Sequence, residues 1–159
     1  MRRNSKIDYS GRTVDLLLLK SVIHPTSDII VSTDVASSPM IVTGIEKLVQ
    51  RYALLFLTQM GTVRNRQDEG SEFMTSLGRG VIYDENTLRA EAAKANSVVS
   101  RQIRLEDSDL DTPDDEALDS STVTDIRLNR TERSVTVQVN IVTRSGDSYT
   151  YITPIAIGV

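Results

Sequence analysis

The chain has 159 residues, 39% hydrophobic and 25% charged, enough to bury one core and build one domain. A net charge of -4, 4% aromatics and no Trp argue against non-specific binding of nucleic acid. The absence of Cys excludes disulfides, thiol nucleophiles and zinc-thiolate sites, and the lone His24 cannot make a multi-histidine metal site.

Met1 to Gly11 reads as a polar arm carrying Arg2, Arg3 and Lys6. The apolar run Leu16 to Leu19 is too short for a signal-peptide core or a membrane span, so a product of the cytoplasm is expected. Val14 to Ile23 is short enough to suit a helix or a strand. Ile29 to Thr33, β-branched and bounded by Ser, Asp and Pro, predicts a strand, and Ser37-Ser38-Pro39 a turn. Residues 1–27 therefore read as an arm and lead-in, and 28–159 as a single α+β domain.

Thr43-x-x-Glu46 has the spacing of a capping box, in which hydroxyl and carboxylate satisfy each other's free backbone N–H groups. Ile45, Leu48, Val49, Tyr52, Leu55 and Phe56 follow at helical period, broadened by Leu54 and Leu57, and Gly61 is suited to end the helix. Thr62 to Gly70 is a polar loop with Arg64, Arg66, Asp68 and Glu69. Phe73, Met74 and Leu77 predict a short apolar turn under the core, and Gly78 and Gly80 a reversal.

A second helix is predicted over about Asn86 to Arg104, with Leu88, Ala92, Ala95, Val99 and Ile103 on its buried line. Asp84 and Glu85 at its start and Arg101 and Arg104 at its end suit the helix dipole. Glu106 to Asp119 carries eight acids, no Lys or Arg, and Pro113, and reads as a solvated loop. The C-terminal part is β: Thr122 to Leu128, then Val135, Val137, Val139 and Ile141 in strict alternation, a turn at Ser145-Gly146-Asp147, and Tyr149 to Ile155. Pro154 cannot donate to a ladder, which places this strand end at a sheet edge. The expected architecture is α+β: two main helices packed on a small, mostly antiparallel sheet that closes with a C-terminal hairpin.

Motifs for chemistry are sparse. Asp107-x-Asp109-x-Asp111 opens like a calcium loop, but Thr112 and Leu118 stand where the turn glycine and bidentate glutamate belong. Asp68, Glu69 and Glu72 invite comparison with a glycosidase pair, yet proximity in sequence does not set the carboxylate separation that chemistry needs. Neither a nucleophile elbow nor a phosphate loop occurs. Arg64 and Arg66, near Arg51, suit either a solvated loop or an ionic contact with an acidic partner segment. The Tyr149 to Ile155 strand suits either an ordinary edge or one that accepts a strand from another chain.

Three features together resemble the sheath-initiator family of contractile-tail baseplates, the lysozyme-like wedge proteins of phages. They are Gly44 with an Ile/Leu-rich helix ending in Leu57-Thr58-x-x-Gly61; the polar loop to Gly70 with the apolar turn Phe73 to Leu77; and a second helix followed by a strand and the hairpin Val135 to Ile155. The similarity spans about Asp28 to Ile155. It implies a small α+β protein without enzymatic activity or cofactor. Such proteins join the baseplate wedge to the first sheath ring, and their sheet accepts strands from sheath subunits. The implied partners are sheath subunits and wedge proteins, with the tail tube a further neighbour and neither nucleic acid nor membrane among them. The implied location is the virion tail baseplate, after synthesis in the host cytoplasm.

On this reading Arg64, Arg66, Glu116, Tyr149, Tyr151, Thr153 and Ile155 are the expected partner-binding residues. Many members carry a Glu-Pro-Arg tripeptide that grips the wedge core; this chain has instead Thr112-Pro113-Asp114-Asp115-Glu116-Ala117, with the acid but no following Arg. Two other classes are a peptidoglycan-cleaving muramidase using Glu69 or Glu72 as acid, and a regulatory adaptor.

Overall fold

The computed structural model describes residues 15–16, 19–23, 28–35, 41–80 and 84–157. In chain order the elements are strands β1 (Asp15–Leu16), β2 (Leu19–Ile23), β3 (Asp28–Val35) and β4 (Ile41–Val42), helices α1 (Ile45–Leu57), α2 (Phe73–Gly78) and α3 (Glu85–Asp109), and strands β5 (Leu118–Asn129), β6 (Ser134–Thr143) and β7 (Ser148–Ala156). The fold is α+β, as the patterning predicts. The Met1–Gly11 arm, His24 and the Ser37–Pro39 turn lie outside the described residues.

Five strands form one sheet in the order β2-β3-β7-β6-β5, and β1 pairs with β4 in a separate ribbon. Every neighbouring pair in the large sheet is antiparallel except β3 and β7, which run parallel through Asp28–Ile30 and Thr150–Ile152. Val135, Val137, Val139 and Ile141 of β6 are fully buried, so the alternation read from the sequence sets one face of this strand against the helices.

Against that face lie Leu48, Val49, Tyr52, Ala53 and Phe56 of α1, Phe73 and Leu77 of α2, and Leu88, Ala92, Ala95, Val99 and Ile103 of α3. The alanines let α3 approach closely. An aromatic series ties the layers together. Tyr151 on β7 meets Tyr52 edge-on at 6.1 Å, Tyr52 stacks on Phe56 at 5.9 Å, and Phe56 leans on Phe73 at 4.9 Å.

Four sequence expectations change. Thr43 does not cap α1. The cap residue is Gly44 at φ 64°, with no side-chain cap bond of the box type, and its N–H donates instead to Glu116 Oε1 at 3.0 Å. A distant carboxylate thus takes the cap-residue N–H that a capping box assigns to the local carboxylate, here Glu46, and only glycine takes that backbone conformation without strain. Nor does Gly61 end the helix, which stops at Leu57; Gly61 (φ 86°) belongs to the turn in which Thr62 N–H donates to the Gln59 carbonyl. Third, α3 runs on through Asp109, so Glu106–Asp109 are helical rather than part of a solvated loop. Asp107 and Glu116 within the supposed loop are buried. Finally, β7 as a whole is not a sheet edge; only its end, with Pro154, lies past the β3 ladder. It is bonded to β6 along its whole length and to β3 over Thr150–Ile152. Pro154 is tolerated because it lies past the end of the β3 ladder.

The α3 N-terminus follows the rules closely. Asp84 is the cap, and its Oδ1 accepts the Thr87 N–H at 2.7 Å, which holds its carboxyl below the usual aspartate range. A carboxyl with a depressed folded-state pKa stabilises above its unfolded pKa, and that contribution is lost as pH falls through the folded value. The wild-type Tm should therefore drop between about pH 5 and pH 3 partly through Asp84. In Asp84→Asn, which caps about as well without titrating, that part of the drop should disappear in thermal melts across the same range.

Candidate interaction surface

The segment joining α1 to α2 is a tightly bonded loop. Ser71 N–H donates to the Thr58 carbonyl at 2.8 Å and Met60 N–H to the Ser71 carbonyl at 3.1 Å, pinching the loop at its neck. Ser71 Oγ also donates to the Phe56 carbonyl at 2.7 Å and satisfies the frayed end of α1. Gly70 sits in this neck at φ 98°, where any Cβ would lie 2.4 Å from the Thr58 carbonyl oxygen.

From the other side, Gln102 on α3 clasps the loop. Its Oε1 accepts the Gly70 N–H at 3.2 Å, and its Nε2 donates to the Asp68 and Gly70 carbonyls at 2.8 and 3.1 Å. The loop is thus a fixed platform on α3. Arg64 stands exposed on it and makes no ion pair among the described residues.

Arg66 is also exposed but engaged, pairing with Glu69 and Glu106. Glu106 in turn meets Arg51, whose Nη2 lies 2.7 Å from Glu106 Oε2 and whose Nη1 lies 2.7 Å from Asp107 Oδ1. Arg51 Nη2 also donates to the Ile103 carbonyl at 3.1 Å. The Asp107 carboxylate, 0% exposed, accepts the Leu118 N–H through its other oxygen at 2.9 Å, so one side chain joins α1, α3 and the first residue of β5. This explains why acids extend α3 at an end where the dipole disfavours them: a fully bonded arginine neutralises them. Asp107 continues the buried line four residues after Ile103, a signal present in the sequence but masked by the acidic composition around it. Gln102 carries no such signal.

Glu69 and Glu72, the acids of the muramidase alternative, have opposite surroundings. Burial, with Glu106 nearby, raises the Glu69 carboxyl despite Arg66. The Lys94 ammonium, 2.7 Å from Glu72, lowers the other.

Glu116 is 2% exposed. Its Oε2 lies 2.8 Å from Lys47 Nζ and its Oε1 accepts the Gly44 N–H, so its carboxylate is held inside, at the floor of a cavity of about 340 Å³ between Lys47, Arg51, Leu110 and Pro113. On β7, Tyr151, Thr153 and Ile155 are buried and Tyr149 is half-buried on the helix side, so their side chains serve the core. Past Ile152 the strand is paired with β6 on one side and lies beyond the β3 ladder on the other, with Pro154 and Ala156 exposed.

Where α3 crosses β5, a polar seam interrupts the apolar packing. Tyr52 Oη donates to Asn96 Oδ1 at 2.6 Å, Ser121 Oγ donates to the same oxygen at 2.6 Å, and Asn96 Nδ2 donates to the Ser121 carbonyl at 3.2 Å. Burial raises the Tyr52 phenol well above its ordinary range, keeping it a donor. Together with Arg104 Nη2 on the Asp119 carbonyl at 2.5 Å, these bonds cover the outer edge of β5 up to Ser121. Tyr52→Phe should cost about 1 kcal/mol in urea denaturation, since Asn96 keeps the Ser121 hydroxyl.

No protein-family model, curated protein or solved structure matches the chain. Among the described residues, no group of three or more His, Cys, Asp or Glu is placed to hold a metal ion, and no helix is long and apolar enough to cross a membrane.

Proposed function

We propose that this chain is a structural assembly protein of a phage contractile-tail baseplate, joining the wedge to the first sheath ring and templating sheath polymerisation by strand addition. The observation that carries the reading is the end of β7, where Pro154 and Ala156 are exposed and, among the described residues, the β3 ladder stops at Ile152, with a firm core behind it. An extended segment from a sheath subunit adds there through main-chain bonds, with Tyr149, Tyr151, Thr153 and Ile155 holding the strand in place from the core side. The α+β architecture and the sequence resemblance from Asp28 to Ile155 agree with this role.

The wedge contact falls to the platform on α3. Arg64 is presented by a loop that is already bonded in place, so its binding costs little ordering entropy. Arg66 reaches a partner only by sharing or releasing Glu69 and Glu106, and Glu116 shapes the neighbouring cavity through Lys47.

The test is to tag the protein, express it during tail production, purify it and identify what accompanies it by mass spectrometry. Recovery of sheath and wedge subunits supports the role, with Arg64→Glu expected to reduce the wedge share. Recovery of the protein alone, or with one non-tail partner, overturns it.

A further inference from the structure

One end of the molecule carries more carboxylate than its own cations answer. Residues 106–116 bring seven acids, and the α1–α2 loop adds Glu69. The cations beside them are Lys47, Arg51, Arg66 and, through the Arg144 N–H on the Ala117 carbonyl, Arg144. Arg104 and Asp119, next along, offset each other in charge. Lys47, Arg51 and Arg66 are engaged by Glu69, Glu106, Asp107 and Glu116. Asp109, Asp111 and Asp114 are exposed, and among the described residues no ion pair or side-chain hydrogen bond reaches them. They stand at the C-terminal end of α3, whose last turn carries no basic residue, so the helix dipole adds to their field. Between them Leu110 is 73% exposed, on the rim of the cavity of about 340 Å³ that Lys47, Arg51 and Pro113 also line.

We propose that residues 1–14 of the same chain dock here, across the end of α3 and the mouth of the cavity. Two observations select that occupant. The first is direction. β1 and β4 pair antiparallel, with Asp15 opposite Val42 and Leu16 opposite Ile41, so the chain that leads into Asp15 comes from the Gly44 side. Gly44 is where the acidic end begins: Glu116 holds its N–H, and a Cβ there would lie 3.5 Å from Asp115 Oδ2. The second is charge. Residues 1–14 hold Arg2, Arg3, Lys6 and Arg12 against Asp8 alone, with Ile7 and Tyr9 among the cations to meet Leu110. An extended chain covers about 3.3 Å per residue, and Arg51 is about 10 Å along α1 from Gly44. Arg12 therefore reaches the Asp115–Glu116 corner, and Lys6 to Tyr9 reach the cavity mouth. The docked segment covers Leu110, and any partner that enters the cavity has first to displace it. None of this depends on the tail reading.

The chain has no Cys, so Ser5→Cys gives a single attachment point for a nitroxide spin label in the whole protein. In amide NMR spectra at low salt, the label should remove most of the signal of Leu110, Asp111 and Asp114, and leave residues near Asp84, at the far end of the 25-residue α3, unaffected. The loss should disappear when Asp109→Asn, Asp111→Asn and Asp114→Asn are combined, in a protein whose remaining spectrum shows an unchanged fold. It should also disappear at about 1 M salt, where the screening length is about 3 Å. Wild-type signals that the label leaves intact overturn the proposal, as does a loss that survives the triple substitution or the salt. Mixing spin-labelled protein without the NMR isotope with isotope-labelled protein without the spin label separates the copies. Signal loss in that mixture would mean that a second copy's segment docks there, which overturns docking within one chain.

Discussion

Asp107→Ala is expected to be among the most destabilising single substitutions in this chain, at about 3–5 kcal/mol, because it removes one partner of a buried ion pair and leaves the rest in place. Arg51 keeps Glu106 but loses its one fully buried partner, and the Leu118 N–H is left buried without its acceptor. Urea denaturation should show the midpoint falling with little change in slope, and Tm should drop by roughly 10 °C. Two comparisons separate charge from geometry. Asp107→Asn keeps an acceptor for Leu118 but not the charge, so its loss should be intermediate. Glu106→Ala removes a partner that is 26% exposed, so water can replace it and the cost should stay within about 1 kcal/mol. An Asp107→Ala protein no less stable than Glu106→Ala would mean that the buried pair does not hold the junction of α1, α3 and β5 together.

Gly70→Ala is the second large effect, and its cause is steric and conformational together. At φ 98° an L-residue is already strained, and the new Cβ would lie 2.4 Å from the Thr58 carbonyl oxygen, 3.0 Å from its carbon and 3.2 Å from its methyl group. The obstacle is mostly backbone and cannot swing aside. The Ser71-to-Thr58 and Gly70-to-Gln102 bonds have to yield, at an expected cost of about 3 kcal/mol. Limited proteolysis should then cut within residues 62–69, where the wild-type loop is held. Gly61→Ala is the control. Its φ of 86° is equally unfavourable, but nothing lies within 4 Å, so only the conformational cost of about 1–2 kcal/mol remains.

The periodic elements are readable because one signal dominates each. The stripe from Ile45 to Phe56, the line from Leu88 to Ile103 and the alternation from Val135 to Ile141 all become buried faces. Sequence reading fails wherever a distant residue supplies what local sequence is expected to supply. Thr43 and Glu46 have the correct spacing for a capping box, but Glu116, seventy-two positions away, already satisfies the Gly44 N–H. The acidic run after Arg104 looks solvated because acids are rarely buried, a rule that fails once Arg51 is placed against them. Pro154 marks the strand end that lies past the β3 ladder, but nothing local shows that β3, from far earlier in the chain, pairs with Thr150–Ile152 of the same strand. Of the expected contact residues, Arg64 and Arg66 share the platform on α3, whereas Tyr151, Thr153, Ile155 and Glu116 are drawn inward.

The parallel pairing of β3 with β7 has a consequence for synthesis. Asp28 finds its neighbour Thr150 only after about 120 further residues have been made, the kind of long-range closure that slows folding. The β5–β6–β7 meander is built from neighbouring segments and can form quickly once it emerges, whereas the early β2–β3 hairpin must wait for it. Throughout that interval the hairpin's free edge is open to other nascent chains, so the yield of correctly folded protein should depend on how crowded and how fast translation is.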